Sequence, residues 1–415
     1  MKTEISYFNR ILKVLIIALS FTITFSQCAK QEEIVSIPND AFLNALINLG
    51  IDTNGDGEIN PSEAEAVTTL NVSRDSSITD MTGIEAFVNL RILNCSCNPI
   101  STLDISNNVE LLILRISYSS SDWWCTSSLN ELDVSNNPEL THLDCTEASL
   151  ESLDVSNNTA LTNLECRGNQ LSTLNVSNNS VLEVLRCGFN NLCSLDLKNN
   201  IALEELSCGG NQLSFLDVSN NTALDTLNCS NNQISILDLS KNPVLSYLGC
   251  SSNILNELDL SNNSFLKTLI CYRNQISALD LSNNSELGWL ACNGNQLSDL
   301  DLSNNPALEV LWLAGNQFET LDISALTILT NLDCSGNLLT TLDLSHNILL
   351  DELYCGQNRF TQLNLINNTM TKHIELNDMP DLACVSVWTL PFPPDGVVVD
   401  TSHSPNVYFA NSCTD

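Results

Sequence analysis

Apolar residues fall on a fixed beat along this chain: from about Leu90 to about Leu376 the same phrase returns every 21 residues. One column shows the register, running Cys145, Cys166, Cys187, Cys208, Cys229, Cys250, Cys271 and Cys292, then Leu313, Cys334, Cys355 and Leu376. The unit at 161–181 reads LTNLECRGNQLSTLNVSNNSV, which generalises to LxxLxCxxNxLxxLxVSNNxx. Leu161, Leu164 and Cys166 carry the alternation of a short strand, and Leu171, Leu174 and Val176 repeat that phrase ten residues later. Both halves of the unit therefore turn apolar residues inward. Residues at a fixed period stack above one another, and each turn needs neighbours to cover its apolar face. The pattern predicts a solenoid, a parallel β coil of about fourteen turns with short strands on two arms. At about 4.8 Å between stacked strands, such a coil is a rod on the order of 65 Å long, with a long surface and no deep cavity.

The unit resembles that of bacterial leucine-rich-repeat proteins of the 21-residue type, LxxLxLxxNxLxxLDLxxNxx, and more loosely that of the internalins. The resemblance covers roughly residues 67–382. It implies a leucine-rich-repeat solenoid and says little about function, because solenoids serve many partners.

The flanks divide the rest of the chain. Residues 1–27 carry Lys2, Arg10 and Lys13 ahead of the apolar run Val14 to Phe25, too short to span a bilayer comfortably and suited to a signal peptide. Residues 28–38 read as a tether, 39–69 as a small helical cap, 70–382 as the solenoid and 383–415 as a C-terminal cap. Cys28 directly follows the apolar run and resembles a lipoprotein processing site, with Lys30-Gln31-Glu32-Glu33 similar to the charged tether of Bacteroidetes surface lipoproteins. That implies an acylated Cys28 at the outer membrane or cell surface. Gln27 departs from the usual small residue before the cysteine, and cleavage after Gln27 with free secretion is the alternative.

Lys plus Arg number 15 against 49 Asp plus Glu, a net charge of −34. Nucleic acid needs a basic face to displace counterions and is excluded as a partner; anionic membrane surfaces are disfavoured for the same reason, leaving a lipid anchor as the one membrane contact. Seventeen cysteines in an exported chain suggest disulfides. The periodic ones instead occupy an inward leucine column, where cysteine acts as a small hydrophobe, and side chains on adjacent parallel strands are poorly placed for the disulfide dihedral. The ladder is expected to be free thiols. Off the ladder, Cys384 and Cys413 bracket the C-terminal segment and are expected to close its cap, and Cys97 and Cys125 are a second pair.

Before the first repeat, Asp52-Thr53-Asn54-Gly55-Asp56-Gly57-Glu58-Ile59-Asn60-Pro61-Ser62-Glu63 follows the twelve-residue EF-hand loop. Asp52, Asn54 and Asp56 supply side-chain oxygens, Glu58 a backbone carbonyl and Glu63 a bidentate carboxylate. Gly57 permits the sharp turn and Ile59 points to the core. Phe42, Leu46 and Leu49 form one helical face before the loop, and a helix can begin over 62–67. The expectation is one structural Ca²⁺ bracing the N-terminal cap; an Asp/Gly-rich turn that mimics the pattern is the alternative.

Asn169, Asn190, Asn211, Asn232, Asn253, Asn274, Asn295, Asn316, Asn337 and Asn358 form a column where the chain leaves the strand, and a stacked amide there can serve two turns at once. Asn158, Asn221, Asn263 and Asn305 should do the same on the other arm. A third column, Asp133, Asp154, Asp196, Asp217, Asp238, Asp259, Asp280, Asp301, Asp322 and Asp343, faces outward, interrupted by Asn175 and Asn364. Like charges about 5 Å apart repel by roughly 0.8 kcal/mol per pair in water, so something must offset them. Hydrogen bonds to backbone or Ser hydroxyls are one account; a stripe for calcium or a cationic partner is the other.

Recognition belongs where residues vary on the constant scaffold. The outward strand positions read Asn94, Arg115, Asp144, Glu165, Arg186, Ser207, Asn228, Gly249, Ile270, Ala291, Trp312, Asp333 and Tyr354. Tyr272, Arg273, Trp289, Trp312 and Tyr354 gather in neighbouring repeats, either by chance or as platforms for a sugar or a protein. An eight-residue insertion between Ile116 and Cys145 carries Trp123, Trp124 and Cys125, either a working loop or a local cover tied to Cys97. Enzyme motifs are absent, and His142, His346, His373 and His403 share no ligand spacing. The chain reads as a monomeric, non-catalytic exported protein that binds an extracellular protein or mediates adhesion. A glycan-binding accessory of polysaccharide uptake and a structural surface spacer are the alternatives.

Overall fold

The computed structural model describes residues 33–74, 77–118, 125 and 129–413. Its body is a parallel solenoid in which three-residue strands stack in chain order into one sixteen-stranded sheet, from Thr69–Asn71 to Val398–Asp400. The register follows the sequence period: Leu143 pairs with Leu164, Leu164 with Leu185 and Leu185 with Leu206. The coil is two rungs longer than the repeat alone suggests, because both caps add strands to the same sheet. Thr69–Asn71 pairs with Ile92–Asn94, and Val398–Asp400 pairs with His373–Glu375.

The core is the stack of inward columns. Leu161, Leu164, Cys166, Leu171 and Val176 are wholly buried, and their counterparts in neighbouring turns match. Each fully buried leucine contributes about 1.5–3 kcal/mol, so the stacked columns carry most of the favourable burial. The ladder cysteines are free and buried, and Cys95 extends the column to the first repeats. Burial pushes the Cys187, Cys229 and Cys271 thiols up to about 12 from 9.0. Neutral thiols are what a dry column holds.

On the second arm the apolar residues point inward as the pattern predicts, yet a regular strand ladder forms only at the C-terminal end, from Gln362–Asn364, Cys384–Ser386 and Tyr408–Ala410. Side chains replace it elsewhere. Asp154 accepts from the Ser156 N–H at 2.9 Å, and the Asn158 amide donates to the carbonyls of Val134 and Asn137 in the turn before. With those backbone groups bonded to side chains, strand pairing on this arm is not needed to satisfy them.

The N-terminal cap is a helix, Asp40–Asn48, capped by Asn39, whose Oδ1 accepts from the Phe42 N–H. Phe42 and Leu46 are buried against the first turns, whereas Leu49 falls at the helix C-cap and is 53% exposed, off the face the sequence assigned it to. Helix Pro61–Glu65 is shorter than the 62–67 expectation at its far end and carries a capping box between Asn60 and Glu63. Disulfides join Cys97 to Cys125 and Cys384 to Cys413. Cys28, Trp123 and Trp124 lie outside the described residues.

Candidate functional site

In the repeat strands of the sheet the middle residue is buried and its neighbours face out, apart from the small buried Gly249 and Ala291, so two columns of variable side chains run along the sheet. Toward the N-terminal end the columns are charged. Arg186 bridges Glu165 at 3.0 Å and Glu205 at 2.7 Å across three adjacent strands. Toward the C-terminal end they turn aromatic. Trp289 and Trp312, on adjacent strands, meet edge to face with ring centroids 5.4 Å apart. The Trp312 indole N–H donates to Asn331 Oδ1 at 2.7 Å, which fixes the ring.

A hydrogen-bonded row continues from there. Asn331 donates to Glu352, and the Tyr354 hydroxyl donates to the same Glu352 oxygen at 3.2 Å. The Tyr354 ring packs on His373, centroids 5.1 Å apart, and His373 contacts Glu375. Burial and then the neighbouring Glu352 push the Tyr354 phenol above its ordinary range.

The aromatic residues singled out in the sequence therefore do not form one cluster. Tyr272, Arg273 and Trp312, with Asn293 and Gly294, line an open pocket of about 460 Å³, and Trp289 supports Trp312 from the side. Tyr354 stands apart, because two rungs separate it from Trp312 and Asp333 lies between them in its column. Asn293, Asn331, Glu352 and His373 were missed by inspection of aromatics alone. The period could have found them: Asn293 follows Tyr272 by one unit, and Asn331, Glu352 and His373 succeed one another in a single column.

At the other end, the loop 52–63 folds around its own amides. Asp52 accepts from the N–H groups of Gly55 and Gly57, Asn54 from that of Asp56, and Asp56 from that of Glu58. Gly57 adopts φ +84°, the left-handed turn the motif requires, and Ile59 is fully buried. Glu63 is nearly buried, its Oε1 accepting from the amides of Thr53 and Asn54 and the Thr53 hydroxyl, its Oε2 from the Asn60 N–H. Among the described residues no three Asp, Glu, His or Cys side chains are gathered closely enough to hold a metal ion. The backbone and donor types fit a hard cation; the Glu63 carboxylate is bonded within the loop.

The asparagine columns do what their spacing implies. Asn169 Nδ2 donates to the carbonyls of Cys145 and Cys166 while its Oδ1 accepts from the Leu150 N–H, so one amide ties two turns. Each outward aspartate with Ser two residues on accepts from that Ser N–H, as in Asp133 to Ser135 and Asp217 to Ser219. The Ser219 side chain and then its N–H hold the Asp217 carboxyl below the usual range, which accounts for the residue type at the column.

No protein-family profile and no curated protein matches this chain. Solved structures do. The functional domain of InlJ from Listeria monocytogenes, described as including a cysteine ladder, is 34% identical, with 86% of this chain and 76% of that one covered and a TM-score of 0.76. The chain belongs to the internalin-type leucine-rich-repeat family. A Leptospira interrogans leucine-rich-repeat protein (21% identity, 82% of this chain and 97% of that one, TM-score 0.65) shares the fold of this internalin-type chain. So does the internalin InlF of Listeria monocytogenes (20%, 93% and 100%, 0.56). Among the described residues of this internalin-type protein, no helix is long and apolar enough to cross a membrane.

Proposed function

We propose that this internalin-type protein is a non-catalytic, exported binder that engages an extracellular protein through the outward face of its sheet. The observation that carries this reading is the contrast between columns. Buried columns repeat the same residue over a dozen turns, while the outward ones change at nearly every rung, from Arg186 with its paired glutamates to Trp312 and Tyr354. A flat row of rigid strands presenting charged and aromatic anchors is the form in which a few side chains can dominate an interface. Photo-crosslinking residues placed at Arg186 and Trp312, in the cells that make the protein, should trap a discrete protein partner. The same residues at Phe215 and Ile236 on the opposite arm, both exposed, should not. Equal trapping from both arms would remove the sheet face as the binding surface.

Calcium belongs to the same proposal as a brace for the N-terminal cap. Asp52, Asn54 and Asp56 side chains, the Glu58 carbonyl and the Glu63 carboxylate would hold it, and the bound ion would supply charge neutralisation within an acidic loop. Glu63 would have to exchange its bonds to Thr53 and Asn54 for the ion while keeping Asn60 capped. Calorimetry should find one Ca²⁺ per chain, lost in Glu63→Gln, with a higher Tm when loaded; no heat and no Tm shift would reduce the loop to a turn. Anchoring through an acylated Cys28 is proposed from the sequence, and metabolic labelling with a fatty-acid analogue in wild type but not in Cys28→Ala tests it.

A further inference from the structure

The pocket under Trp312 has a chemistry of its own. It spans three turns: Tyr272 and Arg273 come from the chain leaving the strand Thr268–Ile270, Asn293 and Gly294 from the chain leaving Trp289–Ala291, and Trp312 from the next strand. Trp312 is held by Asn331 and by the Trp289 ring, so its free face is fixed in place. Ala291 stands directly beside Trp312 in the register, and its small side chain leaves the indole uncrowded. Two polar side chains in the lining are uncommitted within the protein. The half-buried Asn293 amide makes no side-chain hydrogen bond, and the exposed Arg273 is in no ion pair, among the described residues. Both therefore have hydrogen-bonding capacity that a ligand in the pocket can use.

Charge narrows the occupant. An anionic ligand meets a chain of net charge −34, with Asp333, Glu352 and Glu375 on the neighbouring outward positions of the same sheet. A cationic ligand meets Arg273 inside the pocket itself. What remains is a neutral molecule that has an apolar face for the rings and hydrogen-bonding groups for the Asn293 amide and the Arg273 guanidinium. Hydroxyl groups donate and accept, and a pyranose ring carries several around C–H faces that suit aromatic side chains. We infer that the pocket formed by Tyr272, Arg273, Asn293 and Trp312 is a binding subsite for one residue of a neutral saccharide. The pocket volume of about 460 Å³ lies in the range of small-ligand sites, and its openness to the sheet face leaves room for the rest of a chain.

The test uses the mature full chain with calcium, titrated with neutral probes (cellotriose, maltotriose, xylotriose and chitotriose) and with trigalacturonate and a lysine-rich peptide as charged counterparts. Tryptophan fluorescence and saturation-transfer NMR report binding. At least one neutral saccharide should give a saturable change that is insensitive to added salt. Affinity should fall at least about tenfold in Trp312→Ala and in Asn293→Ala, with the unfolding transitions of both variants confirming intact coils. Silence from all neutral probes, binding confined to a charged probe, or saccharide binding unaffected by both substitutions would each overturn the assignment. Crosslinks from Arg186, the mark of a protein partner, do not involve this pocket, so either claim can fail without the other.

Discussion

The two arms of the coil are built from one 21-residue phrase and solve the same problem differently. On the sheet arm, backbone pairs with backbone across sixteen strands, and the side chains left over are free to vary. On the opposite arm, over most of the length, aspartate and asparagine side chains take the place of the ladder. Variation is therefore expensive at the aspartate and asparagine columns of that arm and cheap on the outward face of the sheet. The opposite arm varies only between these fixed residues, as at Phe215, Ile236 and Glu257, whereas the sheet varies at both outward positions of a regular ladder.

Alkaline pH should separate the arms most strongly, since the buried thiol ladder lies along the sheet arm. Thiols of the unfolded chain ionise near 9.0, whereas burial holds Cys187, Cys229 and Cys271 at about 12. The folded pKa is raised, so the stabilisation is complete below about pH 9 and is lost as pH climbs from there through 12. Each such thiol contributes a slope of about 1.4 kcal/mol per pH unit. The unfolding free energy from urea titrations should therefore drop by several kcal/mol in total from about pH 8 to about pH 10, and Cys208→Leu should remove one thiol's share of the slope. A slope unchanged in that variant would mean the ladder does not titrate with unfolding.

The two asparagine columns come next. Asn211→Leu strands the amide of Leu192 and takes one of two donors from the carbonyls of Cys187 and Cys208, which keep Asn190 and Asn232, a loss of about 2–4 kcal/mol. Asn221→Leu strands nothing: the carbonyls of Leu197 and Asn200 each lose one donor and keep the N–H groups of Asn200 and Leu203. Its column already contains a natural leucine, Leu326, fully buried, so the expected cost is about 1–2 kcal/mol. Equal costs in chemical denaturation would dissolve the distinction between the columns. At neutral pH, Cys208→Leu should cost under about 1.5 kcal/mol, because Leu313 and Leu376 occupy the same column. Smallest is Asp217→Ala, which removes an exposed turn bond to Ser219 and should change stability by less than about 1 kcal/mol.

Much of this was legible in the sequence. A strict period states which residues stack, so the sheet register, the thiol column and the amide column follow from counting: Leu164 above Leu185 needs no coordinates. The second arm was less legible. Leu171, Leu174 and Val176 look like a strand, and only the bonds from Asn179 and Asp154 show why regular pairing is absent there. At the site, aromatics drew attention and asparagines did not. Asn293 matters through an uncommitted amide and Asn331 through one bond to Trp312, and such facts depend on side-chain directions that a column count does not carry.

The amide ties between turns also bear on how the molecule can change over generations. The units around 161–181 are joined to one another in the same way, so adding or removing one whole unit there leaves each remaining turn with a proper neighbour. The Trp312 pocket would move by about 4.8 Å relative to the N-terminal helix and keep its chemistry. The coil is a ruler graduated in single strands, and gene duplication can set the reach of the binding surface without redesigning it.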